Sequence, residues 1–174
     1  MKRLTVGVVS LVLLAGCAAN NTLPERKLAD GQPYLAPIYV TVNDPFKAAV
    51  MRNHLRQTGV FRDIKTGTVK DDDYSVNVDM KMAYDYPPFP VVLLSCATLF
   101  MLPLSKEINT HTQFTLMQGN KTLKQYSYSN DTQKYTFLLD QGGEMEGQNL
   151  SRIARAFAQD VQQDHLIPVT GDTQ

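Results

Sequence analysis

The sequence has little of several features that define common protein classes. Its 17 Lys and Arg residues balance 17 Asp and Glu residues, so it has no basic excess of the kind that neutralises nucleic-acid phosphates. Only two of its 174 residues are cysteines, which excludes a disulfide-stapled scaffold. Charged residues make up 20% and hydrophobic residues 43%, a balance that excludes a disordered chain. We therefore expect one ordered domain that binds no nucleic acid and is large enough to bury a core.

Short motifs that mark common catalytic and cofactor sites are also missing from the sequence. It contains no G-x-S-x-G, no P-loop and no G-x-G-x-x-G. The 3 histidines lie far apart, and none has a second ligand at metal-binding spacing. Asp140, Glu144 and Glu146 lie on a glycine-rich stretch and could in principle act as a carboxylate pair in a hydrolase, but nothing near them supports that chemistry. We therefore expect a non-enzymatic protein with no metal and no cofactor.

Residues 1–16 have the three parts of a secretory signal peptide. Lys2 and Arg3 form a positive start, residues 4–14 form a short apolar run, and residues 15–16 are the small residues of a cleavage site. The apolar run is shorter than the roughly 20 residues that a membrane-spanning helix needs. The pattern therefore predicts a leader that is removed after export.

Cys17 follows this leader directly. Leu14-Ala15-Gly16-Cys17 resembles the lipobox of bacterial lipoproteins at all four positions. The resemblance implies cleavage before Cys17, a diacylglyceryl thioether on its sulfur and an acyl chain on its new amine. Three acyl chains exceed what stable anchoring requires, at roughly 0.8 kcal/mol per buried methylene. Residue 18 is Ala and not the Asp that retains such lipoproteins in the inner membrane, so the resemblance implies the periplasmic side of the outer membrane.

The mature chain divides into four segments by composition. Residues 17–35 are polar, contain two prolines and lack periodicity, so we predict a lipidated tether. We predict a folded domain over residues 36–167, an apolar insert at residues 87–104 within it, and a loose tail over residues 168–174. Loss of the two leader cations leaves a mildly acidic chain, so we expect lipid and not electrostatic attraction to hold the protein at the membrane.

Local patterns within the domain predict its helices and strands. The first half reads as a strand at 36–43, a helix at 46–58 between Asp44-Pro45 and Gly59, a short strand at 60–66, and a long alternating strand at 74–86. The second half reads as a hairpin of 108–117 and 122–129 around Gly119-Asn120, a short strand at 135–139, a loop at 141–147 and a final helix that ends near residue 166. The inward positions of that final helix include Leu150, Ile153, Phe157 and Val161.

This order of elements predicts an α+β fold: a two-layer sandwich with a mostly antiparallel sheet of four to five strands and two helices on one face. Together with the lipobox, the order is similar to that of small uncharacterised envelope lipoproteins of Gram-negative bacteria. It is also similar to lipoproteins that assist lipopolysaccharide insertion or serve transporters as auxiliary subunits. Cys17 with Ala18, an ordered domain and the absence of a catalytic motif lead us to expect an accessory or scaffold role in an envelope complex, with a protein partner that the sequence does not identify.

The insert at residues 87–104 carries no charge and is too apolar for an exposed loop. Between Pro90 and Pro103 it would form a helix about 18 Å long, well short of the roughly 30 Å hydrocarbon core of a bilayer. Three interpretations are open: a segment buried under the sheet, a membrane-interfacial or re-entrant segment, or a docking surface for a hydrophobic partner. The second would make the protein a lipid-handling or membrane-contacting factor. The residues in contact with membrane or partner would be Val91, Leu93, Leu94, Leu99 and Phe100. Cys96 is predicted to be a buried, unreactive thiol.

Overall fold

A computed structural model describes residues 19–28, 31–98, 104–136 and 143–173. The elements in chain order are β1 (Asn20–Asn21), β2 (Pro33–Leu35), β3 (Ile38–Val42), α1 (Pro45–Gln57), β4 (Ile64–Lys65), β5 (Tyr74–Asp85), α2 (Phe89–Ala97), β6 (Leu104–Gln118), β7 (Lys121–Thr136), α3 (Gly143–Asp164) and β8 (Val169–Thr173).

Six of these strands form one mixed sheet in the order β1-β7-β6-β5-β3-β4. β3 runs parallel to β4 and β5, and the remaining pairs are antiparallel. β2 and β8 form a separate two-stranded sheet. The prediction of mixed helices and strands is therefore confirmed, but the count of four to five strands is wrong and the sheet is partly parallel. The parallel part arises because α1 carries the chain from the end of β3 back to the start of β4.

The apolar core lies between the inward face of the sheet and the helices α1 and α3. Its centre is Phe157 of α3, whose ring stacks on Phe114 of β6 with centroids 4.2 Å apart and meets the edge of Tyr126 at 5.4 Å. Such aromatic pairs contribute about 0.5–1.5 kcal/mol each beyond the area they bury. The four inward positions predicted for the final helix are all fully buried, which confirms that periodicity.

Both ends of α1 follow local signals in the sequence. The Asp44 carboxylate accepts a hydrogen bond from the Phe46 N–H at 2.9 Å, and Pro45 occupies the first helical position. Gly59, just past the end, has a φ of 67°, a conformation that glycine adopts without strain. The helix bounds predicted from these residues are confirmed to within one residue.

The β6–β7 hairpin turns at Gly119-Asn120, as predicted. Gly119 has a φ of 53°, and its N–H donates to the Asp73 carbonyl at 3.0 Å. A Cβ atom at Gly119 would lie 2.2 Å from the Asp71 carbonyl oxygen. Both the backbone conformation and this close approach therefore require glycine.

Several segments predicted to be irregular are ordered. β1 and β2 lie within the predicted tether at 17–35, and β8 lies where a loose tail was expected at 168–174. The predicted loop at 141–147 is also wrong from Gly143 onward, because those residues form the first turn of α3. These strands have only two to five residues, and their partners lie more than a hundred residues away, so no local pattern marks them. The predicted strand at 60–66 shrinks to β4, and residues 137–139 lie outside the described ranges.

Gly119→Ala is expected to lower the free energy of unfolding by about 1–3 kcal/mol, because the turn holds a backbone conformation that is strained for alanine. Gly147→Ala is the matched control: Gly147 lies inside α3 with no atom within 4 Å of an added Cβ. That change should raise stability by about 0.5–1 kcal/mol through helix propensity. Urea denaturation of both variants measures the two effects. Equal stabilities for Gly119→Ala and the parent would show that the hairpin turn is not under this constraint.

Candidate membrane-contact site

One row of residues across four strands fixes which parts of the chain share an end of the sheet. Asn20 of β1 pairs with Gln133 of β7, Gln133 with Glu107 of β6, and Glu107 with Asp85 of β5. Adjacent strands lie about 4.8 Å apart, so this row spans about 14 Å. α2 connects the end of β5 to the start of β6 and therefore lies at this end, which we call the α2 end. The hairpin turn at Gly119 lies at the opposite end.

β1 enters the sheet from the α2 end. It is antiparallel to β7, with Asn21 opposite Thr132, so its first residue, Asn20, lies nearer to the α2 end than Asn21 does. Cys17 itself lies outside the described residues, but it precedes Ala19, the first of them, by only two positions. Two residues reach at most about 7 Å. A lipid on Cys17 would therefore leave the domain at the α2 end.

A buried polar cluster holds β1 in the sheet. This β1 clamp consists of Asn21, Asn130, Thr132 and Asn149. The Asn149 side-chain amide donates to the Asn130 carbonyl at 2.9 Å and to the Thr132 hydroxyl at 2.8 Å. The side-chain oxygen of Asn21 then accepts from the Thr132 hydroxyl at 2.7 Å and from the Asn130 amide at 3.2 Å. Because Asn130, Thr132 and Asn149 are 0% exposed, each depends on the others to avoid an unpaired buried polar group.

The docking continues along the chain after β1. The Thr22 N–H donates to the Asp131 carbonyl at 3.0 Å, and the Leu23 N–H donates to the Asn130 side-chain oxygen at 2.9 Å. These bonds fix the backbone of the residues that directly follow the proposed lipid attachment site. The segment is therefore part of the fold, in contrast to the tether expected from its composition.

An ion pair attaches the same segment to α3. The Arg26 guanidinium contacts the Asp160 carboxylate, whose other oxygen accepts a hydrogen bond from the Tyr128 hydroxyl at 2.6 Å. Burial and the bond to Asp160 raise the pKa of Tyr128, so its hydroxyl keeps its proton. The Arg152 guanidinium also donates to the Leu23 carbonyl at 3.1 Å. These bonds extend the clamp from β7 to α3.

α2 exposes most of its apolar side chains to the surroundings. Phe89 is 72% exposed and Leu94 is 57% exposed, whereas Ser95 is the buried residue of the helix. No charged residue occurs between positions 86 and 98. The exposed apolar side chains of α2 and of the adjoining end of β5 form what we call the α2 surface: Tyr84, Tyr86, Phe89, Val91, Leu93 and Leu94.

The interpretation of residues 87–104 as a segment buried under the sheet is wrong for residues 89–97, which form α2 with most of its apolar side chains exposed, whereas Leu104 at the start of β6 is buried. α1 and α3 already cover the inward face of the sheet. They no longer cover β5 near Tyr84, which is 41% exposed. Cys96, predicted to be buried, is exposed. Leu99 and Phe100 lie outside the described residues, so their contact role stays a prediction.

A polar cluster fastens the end of β5 to the two large helices. The Glu146 carboxylate accepts from the Tyr84 hydroxyl at 2.8 Å and from the Lys47 ammonium at 2.5 Å. Burial alone would lower the pKa of Lys47, but its hydrogen bond and attraction to Glu146 raise it overall. Burial and Glu146 also raise the pKa of Tyr84. The Tyr84 ring, held in this way, stacks on Tyr86 with centroids 6.4 Å apart.

The carboxylates considered for hydrolysis have other contacts. Glu146 is engaged on both oxygens, and Glu144, whose side chain is 73% exposed, accepts from the Gln148 amide at 3.3 Å. Residues two positions apart on a helix do not face each other, so the two carboxylates of α3 are not a pair. Asp140 lies outside the described residues. Within the described ranges, no group of three or more His, Cys, Asp or Glu side chains is arranged to hold a metal ion.

The β1 clamp was not predicted from the sequence. A signal for it exists: Asn130 and Thr132 continue the inward parity of Tyr126 and Tyr128 along β7. Polar residues at inward positions of a strand need buried partners, which would have predicted an element packed over them. Local pattern does not reveal that the partners are Asn21 and α3.

Comparisons with known proteins find similarity of fold. No family model and no curated protein matches the sequence. A Helicobacter pylori protein described as a neuraminyllactose-binding hemagglutinin homolog superposes with a TM-score of 0.51 at 6% identity, over 83% of this chain and 92% of that one. A minor lipoprotein from Acinetobacter baumannii gives 0.46 at 10% identity, over 77% and 97%. Rare lipoprotein B from Shewanella oneidensis gives 0.41 at 13%, over 74% and 92%. At these identities, the first similarity shows a shared fold alone.

Asn21→Ala is expected to lower the free energy of unfolding by about 1–3 kcal/mol, because it leaves the buried Asn130 amide and Thr132 hydroxyl short of a partner. Asn20→Ala is the matched control: Asn20 is exposed, and its change should stay within about 0.5 kcal/mol. Urea denaturation measures both, and hydrogen exchange of the Thr22 and Leu23 amides should accelerate in Asn21→Ala alone. Unchanged exchange at these two amides would contradict the clamp.

Proposed function

We propose that this protein is a non-enzymatic lipoprotein of the envelope, held by lipids on Cys17 in the inner leaflet of the outer membrane with its domain in the periplasm. There it serves as an accessory or scaffold subunit of an envelope complex. The observation that carries this proposal is the β1 clamp, whose first residue, Asn21, follows Cys17 by four positions.

The short connection determines where the domain works. A flexible tether over residues 17–35 would let the domain move about 25 Å from its anchor on average. With β1 clamped, the connection between the lipid and the folded chain is at most about 7 Å long. The domain is thus held at the leaflet surface, where it meets membrane-embedded partners and not partners deep in the periplasm.

The contacts of the polar side chains support a structural role. Glu146, Asp160 and Asn149 join helices to strands or to the N-terminal segment. Both carboxylate oxygens of Glu146 and of Asp160, and the amide nitrogen of Asn149, are used in those contacts. A scaffold subunit requires a rigid domain of this kind at a fixed position. The mature chain carries a mildly acidic charge balance, so the lipid supplies the attachment.

Cys17→Ser is expected to abolish lipid attachment and to leave uncleaved precursor or a soluble periplasmic protein. Cys96→Ser is the matched control, because it removes the other cysteine and should leave lipidation and membrane fractionation intact. Mass spectrometry of the N-terminal peptide and membrane fractionation check both variants. Processed Cys17→Ser protein that still fractionates with the membrane would contradict the proposed anchor.

Two further measurements test the location and the scaffold role. Ala18→Asp should move the lipidated protein from the outer to the inner membrane on a density gradient, as the lipobox resemblance implies. Extraction of the parent protein in mild detergent should yield a stoichiometric complex with another envelope protein in native electrophoresis. A lipidated protein that runs only as the isolated chain would contradict the scaffold role and leave the anchor intact.

A further inference from the structure

We propose that the α2 surface inserts into the boundary between headgroups and acyl chains of the leaflet that carries the Cys17 lipid. The domain would then contact the membrane at two points, the lipid anchor and α2. This inference rests on the proposed lipidation of Cys17, and its occupant is phospholipid.

α2 and the proposed lipid attachment site are near the same end of the sheet. The row from Asn20 to Asp85 places β1 and the end of β5 about 14 Å apart, on the same end of the sheet. Cys17 precedes Ala19 by two residues, which span at most about 7 Å, so the proposed lipid would attach close to β1. The distance between the proposed lipid and α2 is therefore shorter than the β6–β7 hairpin. A leaflet that holds the lipid would lie beside α2.

The length and chemistry of α2 suit an interfacial position. Its nine residues form a helix about 13 Å long, which is too short to cross a bilayer but suits a helix that lies in the interface. In the described part of the chain, no helix is both long and apolar enough to span a membrane. The most exposed tyrosines among the described residues, Tyr84, Tyr86 and Tyr135, all lie at the α2 end. Tyrosine is enriched where apolar and wet surroundings meet.

The ends of α2 hide the polar groups that lipid would penalise. The Val91 and Val92 N–H groups both donate to the Pro88 carbonyl, at 2.9 and 3.2 Å, and Pro90 has no N–H to satisfy. At the other end, the Thr98 N–H donates to the Leu94 carbonyl at 3.1 Å. The Thr98 hydroxyl lies within hydrogen-bond distance of the same carbonyl. A helix that begins and ends in this way presents few unpaired backbone groups to an apolar environment.

Lipid fits this surface better than a protein partner does. Protein interfaces combine an apolar centre with charged or polar groups that set register and exclude wrong partners. α2 has no charged residue to do so, and its apolar side chains project on more than one side of the helix. A fluid leaflet requires no register, only an uncharged apolar surface.

Cys96 provides a native reporter, because it is exposed and is the cysteine that remains free when Cys17 is lipidated. The full lipidated protein is placed on preformed phosphatidylethanolamine and phosphatidylglycerol vesicles and treated with a membrane-impermeant maleimide. We expect Cys96 to react at least tenfold more slowly in the parent than in the Leu93→Asp, Leu94→Asp double variant. Val169→Asp, which changes an exposed apolar residue on β8, is the matched control and should keep the slow rate.

The outcomes separate this inference from the proposed function. The vesicles are also floated on a density gradient. If the parent protein does not float with them, the anchor and the inference are both overturned. Protein that floats but shows equal Cys96 rates in parent and double variant would overturn the inference alone. Protection that disappears when the protein-to-lipid ratio is lowered tenfold would show contact between copies and would also overturn it. Circular dichroism should give the double variant a native melting curve, since both leucines are exposed; an unfolded double variant would overturn the exposed α2 surface itself.

Discussion

The side-chain amide of Asn149 donates two hydrogen bonds to β7, and the Thr132 hydroxyl that accepts one of them donates in turn to Asn21. This chain of bonds joins α3, the sheet and the first residues after the proposed lipid attachment site in one buried cluster. A polar group that loses its partner in such a cluster costs about 1–3 kcal/mol, so the members hold one another in place. This constraint turns an N-terminal segment of polar composition into a fixed part of the fold.

The register of the strands relates the position of Asn21 to one end of the whole sheet. β1, β7, β6 and β5 are in register along one row, so fixing Asn21 also fixes which end of the sheet faces the anchor. The same end carries α2 and the cluster of Lys47, Glu146 and Tyr84, which fastens the last residues of β5 to α1 and α3. The core around Phe157 lies toward the other end and keeps the sheet rigid between them. The proposed lipid anchor and an apolar helix would thus share one end of a stiff body.

The sequence predicts those parts of the fold whose causes are local. Asp44, Pro45 and Gly59 set the bounds of α1 through capping, and the alternation in β5 and the helical period in α3 follow from one buried face each. β1 and β8 were not predictable, because two to five polar residues gain strand structure only from partners far along the chain. The exposure of α2 was not predictable either, since apolarity without periodicity fits a core and a membrane interface equally. The lipid site rests on the sequence, and its relation to α2 rests on the sheet register.

The clamp and α2 are proposed to give the domain one orientation on the leaflet. Polarised infrared spectroscopy of the lipidated protein on a supported phospholipid bilayer tests it most directly, because the amide bands of the long β5–β6–β7 strands report the tilt of the sheet. The account predicts a clear dichroism in the parent protein that is lost when Asn21→Ala is combined with Leu93→Asp and Leu94→Asp. Absence of dichroism in the parent protein would show a domain that tumbles on its anchor, and would contradict the account.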